Sequence, residues 1–184
     1  MDDQVRRSMA RIGEATDRLL ASAGALTDTG VREPSLLPGW TRGHVLTHLC
    51  RGADAMRNLL AGARAGQDRP AYASAQARED GIAQGAGRAA AELMADLAAS
   101  AMALRTVARD LPAGAWEYQV QVLGSGRFPA TGVLTRRLVE VELHHADLGR
   151  GYTPADWPAS FTGLDLAEPM RGQRDSRLAR GAPA

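Results

Sequence analysis

Apolar residues recur at helical spacing in four long stretches of this chain, separated by segments rich in Gly, Pro and polar residues. Over residues 4–26, Val5, Met9, Ile12, Leu19 and Leu20 follow the period of one helix face. The stretch TDTGVREPSLLPGW reads as a loop, punctuated by Gly and Pro. Thr41 then suits the N-cap of a second helix over 42–65, with Val45, Leu49, Met56 and Leu60 as its apolar stripe. Residues 66–85 are polar and predict a long crossover with a short helix near Ala75–Ile82. A third helix is expected over about 87–110, carrying Leu93, Leu97, Met102, Leu104 and Val107.

The period then changes. Trp116, Tyr118, Val120 and Val122 alternate ahead of GSG, which predicts a β-hairpin. A fourth helix follows over about 130–148, with Gly149 as its C-cap. The Pro-punctuated RGYTPADWPASF is expected to pack back on the helices. Beyond Glu168 there are four Arg and almost nothing apolar, so that segment is expected to be disordered. The architecture is therefore an all-α four-helix bundle over 1–167, with a long crossover between the second and third helices and a small β-hairpin before the fourth. Residues 168–184 form an Arg/Gly/Ala-rich tail.

With 184 residues, the chain suffices for one domain with a core. A net charge of +1 gives no pull toward nucleic acid or anionic membrane, and no run approaches the roughly 18 apolar residues of a membrane span. The amino terminus does not read as a signal peptide, and the single cysteine, Cys50, excludes an internal disulfide. A cytoplasmic enzyme or binding protein is the expectation, and nothing excludes a homodimer. All 22 basic residues are Arg.

The four histidines fall in two pairs, His44 and His48 in GHVLTHL and His144 and His145 in EVELHH. His48 shares the buried stripe of its helix. Glu140 and His144 are four apart and project from one face. Two imidazoles and a carboxylate facing inward make a three-ligand site with open positions, as a catalytic metal requires. That set suits Zn²⁺ first and Fe²⁺, Ni²⁺ or Mn²⁺ after it. A hydrogen-bonded core histidine is the competing reading of the same spacing.

Three segments, SLLPGWTRGHVLTHL, YASAQAREDGI and RRLVEVELHHADLG, make the chain resemble the mycothiol-dependent maleylpyruvate isomerase family of the DinB-like metalloproteins, over roughly residues 5–165. The resemblance implies a DinB-like bundle and a divalent metal, usually zinc, with His48, Glu140 and His144 as ligands. It also implies mycothiol as cosubstrate, used as a metal-bound thiolate that attacks an electrophilic carbon. Such an enzyme is an S-transferase if the adduct persists and a cis–trans isomerase if the thiol is expelled. Family members continue into a smaller α/β domain that contributes an Arg. This sequence instead runs into the Arg-rich tail, from which we expect transfer rather than maleylpyruvate isomerisation. A metal-dependent hydrolase and a non-catalytic metal-binding homologue are the alternatives.

Arg78 matches an Arg of the family's crossover and is a candidate to bind a substrate or thiol carboxylate. His44 is a candidate substrate contact or an ordinary helix-start residue. Asp147 is a candidate to hold a ligating His. His145 is turned about 100° from His144 and should not reach the metal. Cys50 reads as a small core residue, Trp40 as packing at the helix entry, and the tail arginines as solvated.

Overall fold

The computed structural model describes residues 2–122 and 126–181. Four long helices form the bundle: α1 (Asp3–Ala23), α3 (Arg42–Ala65), α5 (Ala90–Arg109) and α6 (Thr131–Asp147). Shorter helices join them: α2 (Asp28–Arg32) and α4 (Ala75–Ala86) between long helices, and α7 (Ala159–Thr162) and α8 (Met170–Gly181) after α6. Strands β1 (Gln119–Gln121) and β2 (Arg127–Pro129) pair antiparallel, with Val120 opposite Phe128. The turn expected at GSG falls largely outside the described residues.

The helix starts follow local chemistry. The Asp2 carboxylate accepts from the backbone N–H of Gln4 at the start of α1, and the Thr41 hydroxyl accepts from the N–H of His44 at the start of α3. Helix α5 begins with Ala89, which has no capping side chain, and borrows one. Asp28 at the start of α2 accepts from the N–H of Ala90 at 2.8 Å. Helix α3 stops at Gly66, whose φ of +63° is the left-handed conformation glycine accepts most readily.

Helix α3 packs against α5, α4 and α6, while α1 closes the other side against α6 and α5. The crossover helix α4 extends four residues beyond the expected stretch and lies tightly on α3. A β-carbon at Gly43 would stand 2.2 Å from the carbonyl oxygen of Ala86, so glycine is what permits this approach. Arg127 of β2 grips Asp68 of the crossover through two bonds of 2.6 and 2.8 Å. The segment after α6 packs back as expected, burying Trp157 and Phe161 edge to face.

The core falls into two apolar clusters. One holds Leu49 and Cys50 of α3 with Leu138 and Val139 of α6. The other holds Ala53 and Met56 of α3 with Val133 and Leu134 of α6. Arg137 lies at the level of that division, 1% exposed, donating through Nη1 to the carbonyl of Leu49 at 2.8 Å. A guanidinium cannot shed its charge to suit a core, and it separates apolar neighbours.

The expectation of a disordered tail is corrected. Residues 170–181 form α8, which packs on α6 and on the turn at 154–156. Hydrogen bonds dock it more than apolar area does. Arg174 is buried and donates to the carbonyl of Leu164 at 2.7 Å, and Arg177 reaches Asp147. Arg171 remains exposed, as the solvated reading expected.

Candidate metal centre

Helix periodicity brings His48 of α3 and Glu140 and His144 of α6 to one point. Their ligating atoms lie within 4.8 Å of one another. His48 Nε2 is 2.7 Å from Glu140 Oε2 and 3.1 Å from His144 Nε2, and His144 Nε2 is 3.5 Å from the same Glu140 oxygen. Tetrahedral ligation at about 2.0–2.1 Å separates ligand atoms by roughly 3.3–3.5 Å. Two of the three separations are therefore close to those of an occupied site.

The donor chemistry fits a cation as well. His144 Nδ1 lies 2.9 Å from Oδ2 of the buried Asp147. A carboxylate accepts, so the proton is assigned to Nδ1 and the bare lone pair on Nε2 points at the other two groups. Burial pushes the His48 imidazole below its ordinary value, against the pull of Glu140. Burial would raise the Glu140 carboxyl, but His48, His144 and Arg137 hold it well below the usual carboxylate range. Neutral imidazoles beside an ionised carboxylate are the protonation states a divalent metal binds. His48 is 6% exposed, while the Glu140 side chain is 32% exposed, so the cluster is backed by core and open on one side.

Asp147 takes more than His144. Its Oδ1 accepts from Arg177 Nε at 2.9 Å and its Oδ2 from Arg177 Nη2 at 2.7 Å. Burial pushes this carboxyl up, and His144 and Arg177 more than offset that, holding it below the usual range.

Arg78 stands at the mouth of the cluster, with Nη2 3.3 Å from His48 Nδ1 and a contact to Glu79. In this arrangement Arg78 donates to Nδ1, which leaves the His48 proton on Nε2 facing Glu140. A ligand bond through Nε2 needs the other tautomer, so metal binding and this Arg78 contact exclude each other. His44 lies outside the converging three. Its Nδ1 accepts from the backbone N–H of Thr41 at 3.2 Å, completing a capping box in which His replaces the usual Glu or Gln. Trp40 stacks on His44 and meets His48 edge-on, with ring centroids 5.6 Å apart. Cys50 is buried, and burial with Asp96 nearby pushes its thiol up to about 11, which suits a core residue.

Sequence reasoning missed Arg177, Tyr72 and the tandem Arg136–Arg137. The half-buried Tyr72 lies near Arg78, and burial raises its phenol despite that guanidinium. Arg136 lies 4.3 Å over the Phe128 ring, and Arg137 is enclosed beneath Glu140. The only available signal was two charges inside an apolar helix pattern. His145 turns away from the cluster, as its 100° offset predicts, and meets Ser22 at 2.8 Å.

Residues 12–149 match the family model described as mycothiol maleylpyruvate isomerase N-terminal domain. Two solved structures resemble the chain. A crystal structure of a mycothiol-dependent maleylpyruvate isomerase is 28% identical, with a TM-score of 0.82, covering 88% of this chain and 69% of that one. A variant of such an enzyme, with a histidine replaced by alanine, is 27% identical at the same TM-score and the same coverage. No curated protein matches in sequence. Among the described residues no helix is long and apolar enough to cross a membrane.

Proposed function

The chain belongs to the mycothiol maleylpyruvate isomerase N-terminal domain family, and on that footing we propose that it is a metal-dependent enzyme that uses a small thiol, mycothiol, to isomerise an unsaturated acid. The observation that carries this reading is the convergence of His48 Nε2, Glu140 Oε2 and His144 Nε2 on one half-open point. A divalent ion held by these three, zinc by ligand type, would keep positions open and lower the pKa of a thiol, normally about 8.5, below neutrality.

The chain's own groups do the rest. Asp147 holds the His144 ring so that Nε2 stays bare. Arg78 sits beside His48; with His48 as a ligand through Nε2, Nδ1 would carry the proton and would no longer accept from Arg78, whose guanidinium would be available to a carboxylate. Tyr72 lies beside Arg78, and Arg136 is near enough to Glu140 to feel its charge. Trp40 covers His48 from one side and limits water there. Among the described residues Cys50 is enclosed, and the Ser22 hydroxyl that meets His145 donates to the carbonyl of Arg18 while His145 Nδ1 has no carboxylate partner, so neither is set up as a nucleophile.

Isomerisation and S-transfer share the attack of thiolate on carbon and differ in whether the thiol is expelled. Likeness to the isomerase structures over 88% of this chain favours expulsion. The test supplies the zinc-loaded protein with mycothiol and maleylpyruvate, and separately with epoxides and activated aryl halides. We expect fumarylpyruvate, dependent on mycothiol and lost in His48→Ala. Stable mycothiol adducts without fumarylpyruvate would convert the reading to transfer, and turnover without thiol would convert it to hydrolysis by bound water.

A further inference from the structure

The family match ends at residue 149, yet the cluster is braced by a residue 28 positions further on. We infer that Arg177, carried by the carboxy-terminal helix α8, is a positioning residue of the metal centre, acting through Asp147 on the ring of His144. The inference rests on the metal reading above.

The contacts form a closed relay. Asp147 is the last residue of α6, with its side chain 4% exposed. Both its oxygens are engaged by Arg177, at 2.9 Å through Nε and 2.7 Å through Nη2, the two-pronged geometry in which a guanidinium fixes a carboxylate plane. With that plane fixed, Oδ2 is left facing His144 Nδ1 at 2.9 Å. The hydrogen bond to Nδ1 sets the tautomer and the ring angle, and so directs Nε2 at His48 and Glu140. Arg177 is itself held, since its Nη1 donates to the carbonyl of Gln173 one turn earlier and its side chain is 11% exposed.

Alone, Asp147 would be a buried carboxylate sharing one donor, free to turn toward other partners and costly to keep ionised. Arg177 supplies both the counter-charge and the orientation. Arg174 docks the same helix through Leu164 without touching Asp147. The two arginines therefore divide between holding the helix down and aiming the carboxylate.

The experiment compares Arg177→Ala, Arg177→Lys and the exposed Arg171→Ala in the full chain, with two readouts. Zinc affinity is measured by competition with a chelator, and the tautomer of His144 by long-range ¹H–¹⁵N spectra of the metal-free protein. Arg177→Ala should weaken zinc binding about ten- to a hundredfold and turn the single Nδ1–H signal of His144 into a mixture. Arg177→Lys should recover part of both, and Arg171→Ala neither. A His144 signal that keeps one tautomer in Arg177→Ala overturns the inference. Should the unaltered protein take up no zinc, the metal reading falls, and the tautomer spectrum alone decides whether Arg177 positions His144.

Discussion

Helix α6 carries two acid–histidine pairs that differ by one or two residues in sequence and by everything in environment. On one face, Glu140 and His144 of α6 meet His48 of α3, and two imidazole nitrogens and a carboxylate oxygen face one another. On another, Glu142 and His145 are each about 1% exposed; Glu142 is matched to donors, while His145 pairs through Nε2 and its buried Nδ1 has no hydrogen-bond partner among the described residues. Glu142 accepts from Arg18 and from the Tyr152 hydroxyl, both at 2.6 Å. His145 bonds Ser22 and lies flat on the Tyr152 ring, with centroids 3.7 Å apart. The Trp157 indole adds a bond to the backbone carbonyl of Glu142. The carboxylate of the first pair faces imidazoles, and that of the second faces a guanidinium and a phenol. The same residue types thus form a candidate ligand set or a structural lock, according to whether imidazoles or a guanidinium meet the carboxylate.

The sharpest way to break the contrast is to add zinc. Zinc at a thousandfold excess over its dissociation constant should stabilise the protein by about 4 kcal/mol. His48→Ala and Glu140→Ala should abolish that gain, while Glu142→Ala should keep it. Thermal melts with and without zinc check this, and an equal zinc response in all three variants would erase the distinction between the clusters.

Next in size is the loss of the lock itself. Glu142→Ala leaves Arg18 without its anion and the Tyr152 hydroxyl without its acceptor beneath the segment after α6. Removing one partner of a buried pair costs about 3–5 kcal/mol, and the partly exposed Arg18 places this case near the lower end. Urea unfolding of the metal-free protein should show the loss.

A third effect depends on pH. Burial, followed by the charge of Arg18, lowers His145 from its ordinary 6.5 to about 4, against a small opposing pull from Asp156. Between those values the unfolded chain binds a proton that the folded protein refuses. The contribution of His145 to stability therefore falls as pH drops from about 6.5 to about 4 and levels off below, losing on the order of 3 kcal/mol. His145→Gln keeps a partner for Ser22 and should flatten that slope. The measurement is the difference between the two proteins' metal-free unfolding free energies across this range.

These contrasts mark what the chain discloses by itself. The convergence of the three candidate ligands was legible, because helical period aligns His48 with its stripe and Glu140 with His144. The 100° step that sets His145 apart was equally available. The lock was not legible, because Arg18 lies 124 residues before Glu142 and no local pattern links them. Helix α8 was misread for the same reason. Its residues lack an apolar stripe, and composition alone describes a solvated segment, yet Arg174 and Arg177 find a carbonyl and a carboxylate that only the fold supplies. His44 was ambiguous because the capping-box pattern normally carries Glu or Gln where this chain has an imidazole.

The smallest expected effect tests whether the lock is a network or a single ion pair. Tyr152→Phe keeps the ring that covers His145 and removes only the hydroxyl that donates to Glu142. A hydrogen bond to a charged group contributes about 1.5–3 kcal/mol. Arg18 remains as a second donor at 2.6 Å, so the loss should sit at the low end, near 1.5 kcal/mol. Zinc affinity should be unchanged, because Tyr152 meets Glu142 and His145 on the face of α6 turned to α1, away from His48 of α3. In the Arg18→Met background the same substitution should cost more than it does alone, since Glu142 then loses its last side-chain donor. A double-mutant cycle measures that excess. Strict additivity would mean that the hydroxyl and the guanidinium act separately and that the lock is one ion pair with a bystander.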